Sequence, residues 1–149
     1  IDGNASIQAE LETPICLDES IHSAHHAAHA IEIEACRLVN IKASRIGGRA
    51  AAIAIHDLCA AREIPVWCGG MLESGVGRLH NISMASLPNF QMPGDLSASK
   101  RYWQEDIIDP WVEIDNEGLV TVPNTVGLGH AVLEERIRKH LIRYEKFSL

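Results

Sequence analysis

Short apolar runs alternate with longer helical segments along the first part of the chain. Residues 14–17 (PICL), 37–41 (RLVNI) and 65–68 (PVWC) are such runs, each followed by polar or glycine-rich positions. Runs of this kind are typical of strands that are buried on both faces of a parallel sheet. Residues 21–35, 48–62 and 74–87 have helical composition, and the second segment is alanine-rich and closed by basic residues that suit a helix C-terminus. The pattern predicts strands and helices in alternation.

The positions at which the apolar runs end recur at regular intervals. They are 24 residues apart from Asp18 to Lys42 and 26 apart from Lys42 to Cys68, which suits one strand, loop and helix per unit. A closed (β/α) barrel takes roughly 250 residues and eight strands, whereas this chain supplies about four strands before its pattern changes. The sequence therefore predicts an α/β fold that is half of a β/α barrel.

The pattern changes after Pro88. Residues 117–123 (EGLVTVP) place a turn before alternating apolar positions, which predicts a small strand outside the barrel. Residues 131–144 predict an ordinary packing helix whose apolar side chains share one face. Those side chains are Val132, Leu133, Ile137, Leu141 and Tyr144. Trp103 and Trp111 flank an acidic stretch, and tryptophans of this kind usually pack a segment against a neighbouring domain.

Composition and charge narrow the class of protein. The hydrophobic share of 46% is enough for one ordinary core, and the net charge of −7 with scattered basic residues argues against a nucleic-acid partner. No apolar stretch approaches the ~20 residues that span a bilayer, so no membrane association is expected. The four cysteines form no CxxC pair, which fits reduced thiols and a cytoplasmic setting. The chain begins at Ile1, and residues 2–4 predict a loop that leads into a helix, as expected of a truncated or processed chain.

Residues that could carry chemistry follow the predicted strands. In a β/α barrel the C-terminal ends of the strands face a common mouth, so Asp18, Glu19, Lys42 and the turn 69–71 belong to one rim. A carboxylate beside a lysine suits enolate chemistry, because a hard cation held by carboxylate oxygens stabilises the charge left when a proton departs. A salt bridge between Asp18 and Lys42 that only caps the barrel is an equal alternative on spacing alone.

Four histidines lie three and four residues apart and would share one side of a helix, as His22, His25, His26 and His29. A metal site there is conceivable. Exposed or interface histidines are the expected default, since no cysteine lies close in sequence. The glycine-bearing strings match neither GxGxxG between a strand and a helix nor GxxxxGK[ST], so nucleotide binding is not predicted.

Five strings along the chain resemble consecutive signatures of one enzyme family. They are TPICLDES, NIK followed by RIGG, PVWCGGMLESGVGRLHN, PGDLSASKRYWQEDI and GLVTVPNTVGLG. In family order and spacing they are similar to the o-succinylbenzoate synthases and N-acylamino-acid racemases of the enolase superfamily. Two positions depart from the usual pattern, since Ala43-Ser44 replaces proline-glycine after the lysine and Thr125-Val126 replaces glycine-proline in the late motif.

The resemblance implies a role for each rim residue. Asp18 matches the third of three carboxylate ligands for Mg²⁺, and Glu19 matches a partner that orients the site. Lys42 matches a lysine that exchanges protons in the racemases and stabilises the enediolate in the synthases. The turn formed by Gly69, Gly70 and Met71 matches the segment that faces the substrate's succinyl or acyl part. Glu73 is expected to be structural, as a charge at a helix N-terminus.

The resemblance also implies the architecture and the activity. It indicates the C-terminal half of a (β/α)7β TIM-like barrel, with residues 1–95 as approximately strands five to eight and 96–149 as a segment that packs on the barrel and returns to the capping domain. The implied activity is Mg²⁺-dependent proton abstraction from a small-molecule carboxylate, with dehydration to o-succinylbenzoate in menaquinone biosynthesis favoured over N-acylamino-acid racemisation. The second catalytic lysine and two metal-binding carboxylates lie upstream of the matched region in this family, so the isolated chain is expected to be a non-catalytic half-barrel. It is also expected to form homo-oligomers or associate through open barrel edges.

Overall fold

The computed structural model describes residues 1–147 of the chain. Its helices are α1 (Asp2–Glu10), α2 (Ala24–Glu32), α3 (Arg49–Ala60), α4 (Gly75–Ala85) and α5 (Glu134–Lys139). Its strands are β1 (Cys16–Leu17), β2 (Leu38–Ile41), β3 (Val66–Cys68), β4 (Ile108–Asp109) and β5 (Ala131–Val132), and one turn of 3-10 helix spans Ser99–Arg101. The predicted opening loop is wrong, because α1 begins at Asp2, whose carboxylate in the first turn complements the helix dipole.

The three predicted strands form one parallel sheet in the order β1-β2-β3. Leu17 pairs with Val39, and Val39 in turn pairs with Val66, so one register runs across the sheet. The chain after α4 extends the sheet in parallel, since Phe90 bridges to Val66 and Asp95 bridges to Gly69. The predicted alternation of parallel strands and helices is confirmed, and the C-terminal ends of β1, β2 and β3 lie at one edge of the sheet.

Helices α2 and α3 end in the same way before the next strand begins. Glu34 and Glu63 both have φ of 56°, in the left-handed region that commonly terminates a helix. Beyond Glu34, the Ala35 N–H donates to the Ala30 carbonyl at 2.8 Å, and the amide after Glu63 makes the equivalent bond at 3.0 Å. Each helix therefore stops on a local hydrogen-bonded turn that redirects the chain into the sheet.

The main apolar core lies between the sheet and the helices α2 and α3. Its fully buried side chains include Ile21, Ala30, Val39, Ala52, Ile55 and Val66. A second cluster joins α4 to the chain beyond it and contains Leu79, Ile82, Ile108 and Val112. Since burial of apolar surface is the main favourable term in folding, two separate clusters fix the sheet and the C-terminal segment.

Two buried polar side chains hold segments that enter the sheet. Gln8 of α1 donates through Nε2 to the carbonyls of Leu11 and Thr13, at 3.1 and 3.2 Å, and its Oε1 accepts from the Ile15 N–H at 2.7 Å. His56 of α3 accepts through Nε2 from the N–H of the residue before Phe90, at 3.1 Å. Because a buried amide left without a partner is costly, each contact fixes the course of a strand.

The C-terminal segment differs from the prediction at two places. Residues 117–123 contain the predicted turn, in which the Leu119 N–H donates to Asp115 Oδ1 at 2.8 Å. The predicted strand after it is wrong, because within residues 1–147 it has no neighbouring strand with which to form a ladder. The predicted helix over 131–144 is shorter than expected, since Ala131 and Val132 pair with β4 and α5 covers only Glu134–Lys139.

The supposed packing face of that helix is not buried. Ile137 and Leu141 are 38% and 51% exposed. The division into residues 1–95 and 96–149 stays a prediction, and residues 148 and 149 lie outside the described part of the chain. Within residues 1–147 no helix is long and apolar enough to cross a membrane.

Candidate active site

The tips of β1, β2 and β3 bring the predicted catalytic residues together. Asp18 directly follows β1 and Lys42 directly follows β2, and Lys42 Nζ donates to Asp18 Oδ2 at 2.8 Å. The two side chains are 26% and 19% exposed, so the pair is only partly accessible to water. Gly69 follows β3 and lies beside them. The prediction that these residues share one rim is confirmed by their positions.

Asp18 is surrounded by hydrogen-bond donors. Besides Lys42, its Oδ2 accepts from Asn40 Nδ2 at 2.9 Å, and its Oδ1 accepts from Arg45 Nη1. Burial of the carboxyl raises its pKa, but the hydrogen bonds from Lys42 and Asn40 and the two positive charges outweigh this effect. The pKa of Asp18 therefore lies below its ordinary value, and the side chain is a carboxylate at neutral pH.

Asn40 and Arg45 are site residues that the sequence reasoning missed. Arg45 donates through Nη2 to the Asn40 carbonyl at 2.7 Å and through Nε to the Ile21 carbonyl at 3.0 Å. These two bonds hold its guanidinium in position beside Asp18. Asn40 is fully buried, and its Oδ1 has no hydrogen-bond partner within residues 1–147. A polar residue inside the apolar run RLVNI, and an arginine in the matched string RIGG, were the available signals.

Glu19 lies at the margin of this arrangement. Its Oε1 is 4.0 Å from Lys42 Nζ, and its side chain is 84% exposed. At that distance the two charges attract each other without a direct hydrogen bond. The role of Glu19 in orienting the site stays a prediction.

The turn after β3 packs closely against the same residues. A Cβ on Gly69 would lie 2.7 Å from Lys42 Cε and also overlap the Asn40 amide, while a Cβ on Gly70 would overlap the backbone carbonyl of Asp95. Real Cβ atoms essentially never approach other atoms so closely. Only glycine therefore allows this turn to lie against the lysine and the neighbouring strand.

Met71 completes the turn, and its side chain is about half exposed beside Ser44. Its side chain is 49% exposed, and its Sδ lies 3.1 Å from the hydroxyl of Ser44. Ser44 is one of the two residues that replace the family's usual proline-glycine, so this departure from the pattern places a polar group next to the turn. The position is compatible with the predicted contact between Met71 and a substrate.

The metal requirement can be judged from the oxygen donors present. Mg²⁺ is bound by hard oxygen ligands, usually one or more carboxylates. Asp18 offers a charged carboxylate at the rim, which fits one such ligand position. Within residues 1–147 no group of three or more His, Cys, Asp or Glu side chains could hold a metal ion. The described residues therefore fit one ligand position of a magnesium site, at Asp18, and the role of Asp18 as a metal ligand stays a prediction.

The histidines on and just before α2 and the cysteines belong to no metal-binding group of three or more side chains within residues 1–147. His29 Nε2 lies 3.0 Å from Asp2 Oδ1, and His26 contacts the rings of His22 and His25, so the four are engaged in local contacts. All four cysteines are free thiols, as predicted from the sequence. Burial raises the pKa of Cys59 and of Cys68 to about 12, which makes these two thiols unreactive.

Comparison with known proteins identifies relatives of the whole chain. Residues 1–136 match the family described as enolase C-terminal domain-like. The chain is 52% identical over 145 residues to the o-succinylbenzoate synthase of Geobacillus kaustophilus, a match that covers 97% of this chain and 37% of the relative. It is also 52% identical over 133 residues to the N-succinylamino acid racemase of Amycolatopsis sp, covering 89% of this chain and 36% of that protein.

Solved structures agree with these relatives. The crystal structure of an enolase superfamily member from Listeria innocua Clip11262 superposes with a TM-score of 0.85 at 46% identity, covering 91% of this chain and 36% of that one. The chain thus spans little more than a third of the length of the proteins that it matches, and the predicted fold, part of an enolase-type β/α barrel, is confirmed. The chain belongs to the enolase C-terminal domain-like family of the enolase superfamily.

Proposed function

We propose that the full-length protein, meaning the longest natural polypeptide that contains this chain, removes a proton from the carbon next to a carboxylate. The observation that carries the proposal is the 2.8 Å contact between Lys42 Nζ and Asp18 Oδ2 at the strand tips. The favoured reaction is dehydration to o-succinylbenzoate in menaquinone biosynthesis, because relatives of this activity at 49 to 52% identity match 95% or more of the chain.

Lys42 has a role in either version of this chemistry. Its ammonium group, held by Asp18, would lie close to the carboxylate of a bound substrate and stabilise the negative charge that develops as the C–H bond breaks. In a racemase the same nitrogen would also release and accept the proton itself. Arg45 and Asn40 would keep Asp18 oriented while this charge develops, since both donate to its oxygens.

Magnesium is part of the proposal through Asp18. When bound, Mg²⁺ would supply positive charge beside the substrate's carboxylate, and Asp18 would be one of the residues that hold it. The other ligands would have to come from outside this chain, because the described residues supply no group of three. We therefore expect the 149-residue chain alone to bind Mg²⁺ weakly and to show no turnover, which makes it a non-catalytic half-barrel.

Racemisation of N-succinylamino acids is the second candidate function. It is favoured by the racemase of Amycolatopsis sp, which is as similar to this chain as the synthase of Geobacillus kaustophilus, at 52% identity. Both reactions begin with the same proton abstraction, so the rim residues of this chain would serve either one.

The test compares both reactions in the full-length protein. Dehydration of the o-succinylbenzoate precursor is followed with Mg²⁺ and with a chelator, beside α-proton exchange of an N-succinylamino acid in deuterated water. Lys42→Ala should lower either activity by a factor of about 100 or more, since loss of one group that stabilises developing charge costs roughly 100- to 1,000-fold and general acid–base catalysis contributes roughly 100- to 10,000-fold. Asp18→Asn should raise the Mg²⁺ concentration needed for half-maximal activity.

Lys100→Ala is the matched control, because Lys100 is exposed and lies in the 3-10 turn Ser99–Arg101, outside the parallel sheet. It should retain wild-type activity. Dehydration alone would identify a synthase, and exchange without dehydration would identify a racemase. Full activity of Lys42→Ala would remove this lysine from the mechanism.

A further inference from the structure

Glu73 follows the Gly69–Met71 turn and receives four hydrogen bonds from three parts of the chain. Its Oε2 accepts from the Met71 N–H at 2.8 Å, and its Oε1 accepts from Asn81 Nδ2 of α4 at 2.9 Å. Its carbonyl accepts from Arg78 Nη2 at 3.1 Å and from Trp103 Nε1 at 2.9 Å. Glu73 therefore connects the turn to α4 and to the C-terminal segment.

The two sets of contacts have different functions. The carbonyl contacts fix the backbone of Glu73, because Arg78 is 1% exposed and cannot move freely. The Asn81 contact aims the carboxylate, since Asn81 is also buried, at 4% exposure. The other carboxylate oxygen accepts a hydrogen bond from the Met71 N–H. The side chain of Met71 is 49% exposed and that of the next residue, Leu72, is 71% exposed. The exposed turn is thus held, through Glu73, by the buried side chains of Arg78 and Asn81.

We propose that Glu73 is a positioning residue that holds the Gly69–Met71 turn and thereby sets the affinity of the site for the succinyl or acyl part of its substrate. The inference rests on the proposed function, in which this turn faces that part of a carboxylate substrate. It goes beyond the expectation of a simple charge at a helix N-terminus, because the carboxylate oxygens accept hydrogen bonds from Met71 and Asn81 rather than from the first amides of α4.

Glu73→Ala and Glu73→Gln separate these two roles. Alanine removes both acceptor oxygens and the charge. Glutamine removes the charge but keeps Oε1 as an acceptor for Met71, and its Nε2 can donate to Asn81 once that amide turns over. A helix-dipole role would be lost in both variants, whereas a positioning role is lost in Glu73→Ala and restored in Glu73→Gln.

The kinetic experiment uses the full-length protein and the succinyl-bearing substrate that the wild type turns over. Glu73→Ala should raise KM by about tenfold or more, because a hydrogen bond to a charged acceptor is lost, while kcat stays within about threefold. Glu73→Gln should stay within about threefold of wild type in both constants. Glu135→Ala, at an exposed position of α5, is the matched control and should leave both unchanged.

A second measurement does not depend on activity. With ¹⁵N-labelled methionine, the exchange rate of the Met71 amide with solvent should rise by about tenfold or more in Glu73→Ala and return to the wild-type rate in Glu73→Gln. Asn81→Ala leaves Glu73 in place but removes the group that aims it, so exchange at Met71 and KM should both rise by a smaller factor. This variant decides the question if Glu73→Ala fails to fold.

The outcomes distinguish this inference from the proposed function. Wild-type protein with neither activity would overturn the proposed function, and exchange at Met71 would still decide whether Glu73 positions the turn. Unchanged KM and unchanged exchange in Glu73→Ala would overturn the inference. Glu73→Gln as impaired as Glu73→Ala would also overturn it, because the charge and not the hydrogen bond would then be the cause.

Discussion

Asp106 is the residue that fixes the C-terminal segment to the start of α4. Its Oδ1 accepts from the Gly75 N–H and from the Ile107 N–H, both at 2.7 Å, so it caps a helix that begins 31 residues earlier. Its Oδ2 faces Arg78 Nη1 at 4.0 Å. Both of those atoms are buried, and neither has a hydrogen-bond partner within residues 1–147. The pair is therefore held by charge across a short gap.

The cost of removing Asp106 follows from these distances. Two unit charges 4.0 Å apart interact by about 4 kcal/mol at an effective dielectric constant of about 20. Removal of one partner of a buried pair costs roughly 3–5 kcal/mol, because the other charge stays buried without compensation. We expect Asp106→Ala to lower the free energy of unfolding by about 4 kcal/mol. Asp106→Asn keeps the acceptor for the two N–H groups and should cost about half as much.

A double-mutant cycle isolates the charge interaction. Arg78→Met removes the other charge at similar length, so Arg78→Met combined with Asp106→Asn leaves no unpaired buried charge. The double variant should be more stable than the sum of the two single effects predicts, by about 1 kcal/mol or more. Urea denaturation of the full-length protein, followed by tryptophan fluorescence, measures each value, since Trp103 lies in the same segment.

Two results would refute this reasoning. If Asp106→Ala lowered the free energy of unfolding by less than about 1 kcal/mol, the buried carboxylate would not be important to stability. If the double variant were simply additive, Arg78 and Asp106 would not interact despite their separation of 4.0 Å.

Two further predictions concern the rim and the thiols. Gly69→Ala should lower activity at least about tenfold while the protein stays folded by circular dichroism, because the new methyl group would displace Lys42; unchanged activity would contradict the crowding described above. In the native protein a thiol reagent at pH 8 should modify Cys16, which is exposed, well before Cys59 and Cys68, whose pKa is about 12. All three thiols should react in urea. Equal reaction rates of the three in the native protein would show that Cys59 and Cys68 are not buried.

The sequence predicts the strand tips well for a simple physical reason. A strand inside a parallel sheet is mostly apolar along its length, so the charged residue that follows the apolar run marks the place where the strand leaves the sheet. Asp18 and Lys42 are such residues, and the structure places them 2.8 Å apart. They meet because β1 and β2 are parallel neighbours, joined by a crossover that contains the single helix α2.

Asn40 and Arg45 could not be predicted by the same argument. Asn40 occupies an interior strand position, where the pattern of apolar residues indicates only burial. Its part in the site is the hydrogen bond to Asp18, which follows the neighbouring strand β1. Arg45 lies in the loop after Lys42, and the direction of a long side chain from a loop depends on tertiary contacts. Its guanidinium is aimed by the carbonyls of Ile21 and Asn40, groups supplied by distant parts of the chain.

The C-terminal segment shows why apolar periodicity alone is a weak guide outside the barrel. Residues 131–144 have helical spacing, but a helix is stabilised mainly by burial of its apolar face, and Ile137 and Leu141 remain exposed. Ala131 and Val132 instead complete a ladder with β4, where backbone hydrogen bonds are available. The same exposed side chains would be covered if this segment packed on a capping domain, as the family resemblance implies. The short helix is therefore the expected structure of a sequence whose apolar face has no partner within residues 1–147.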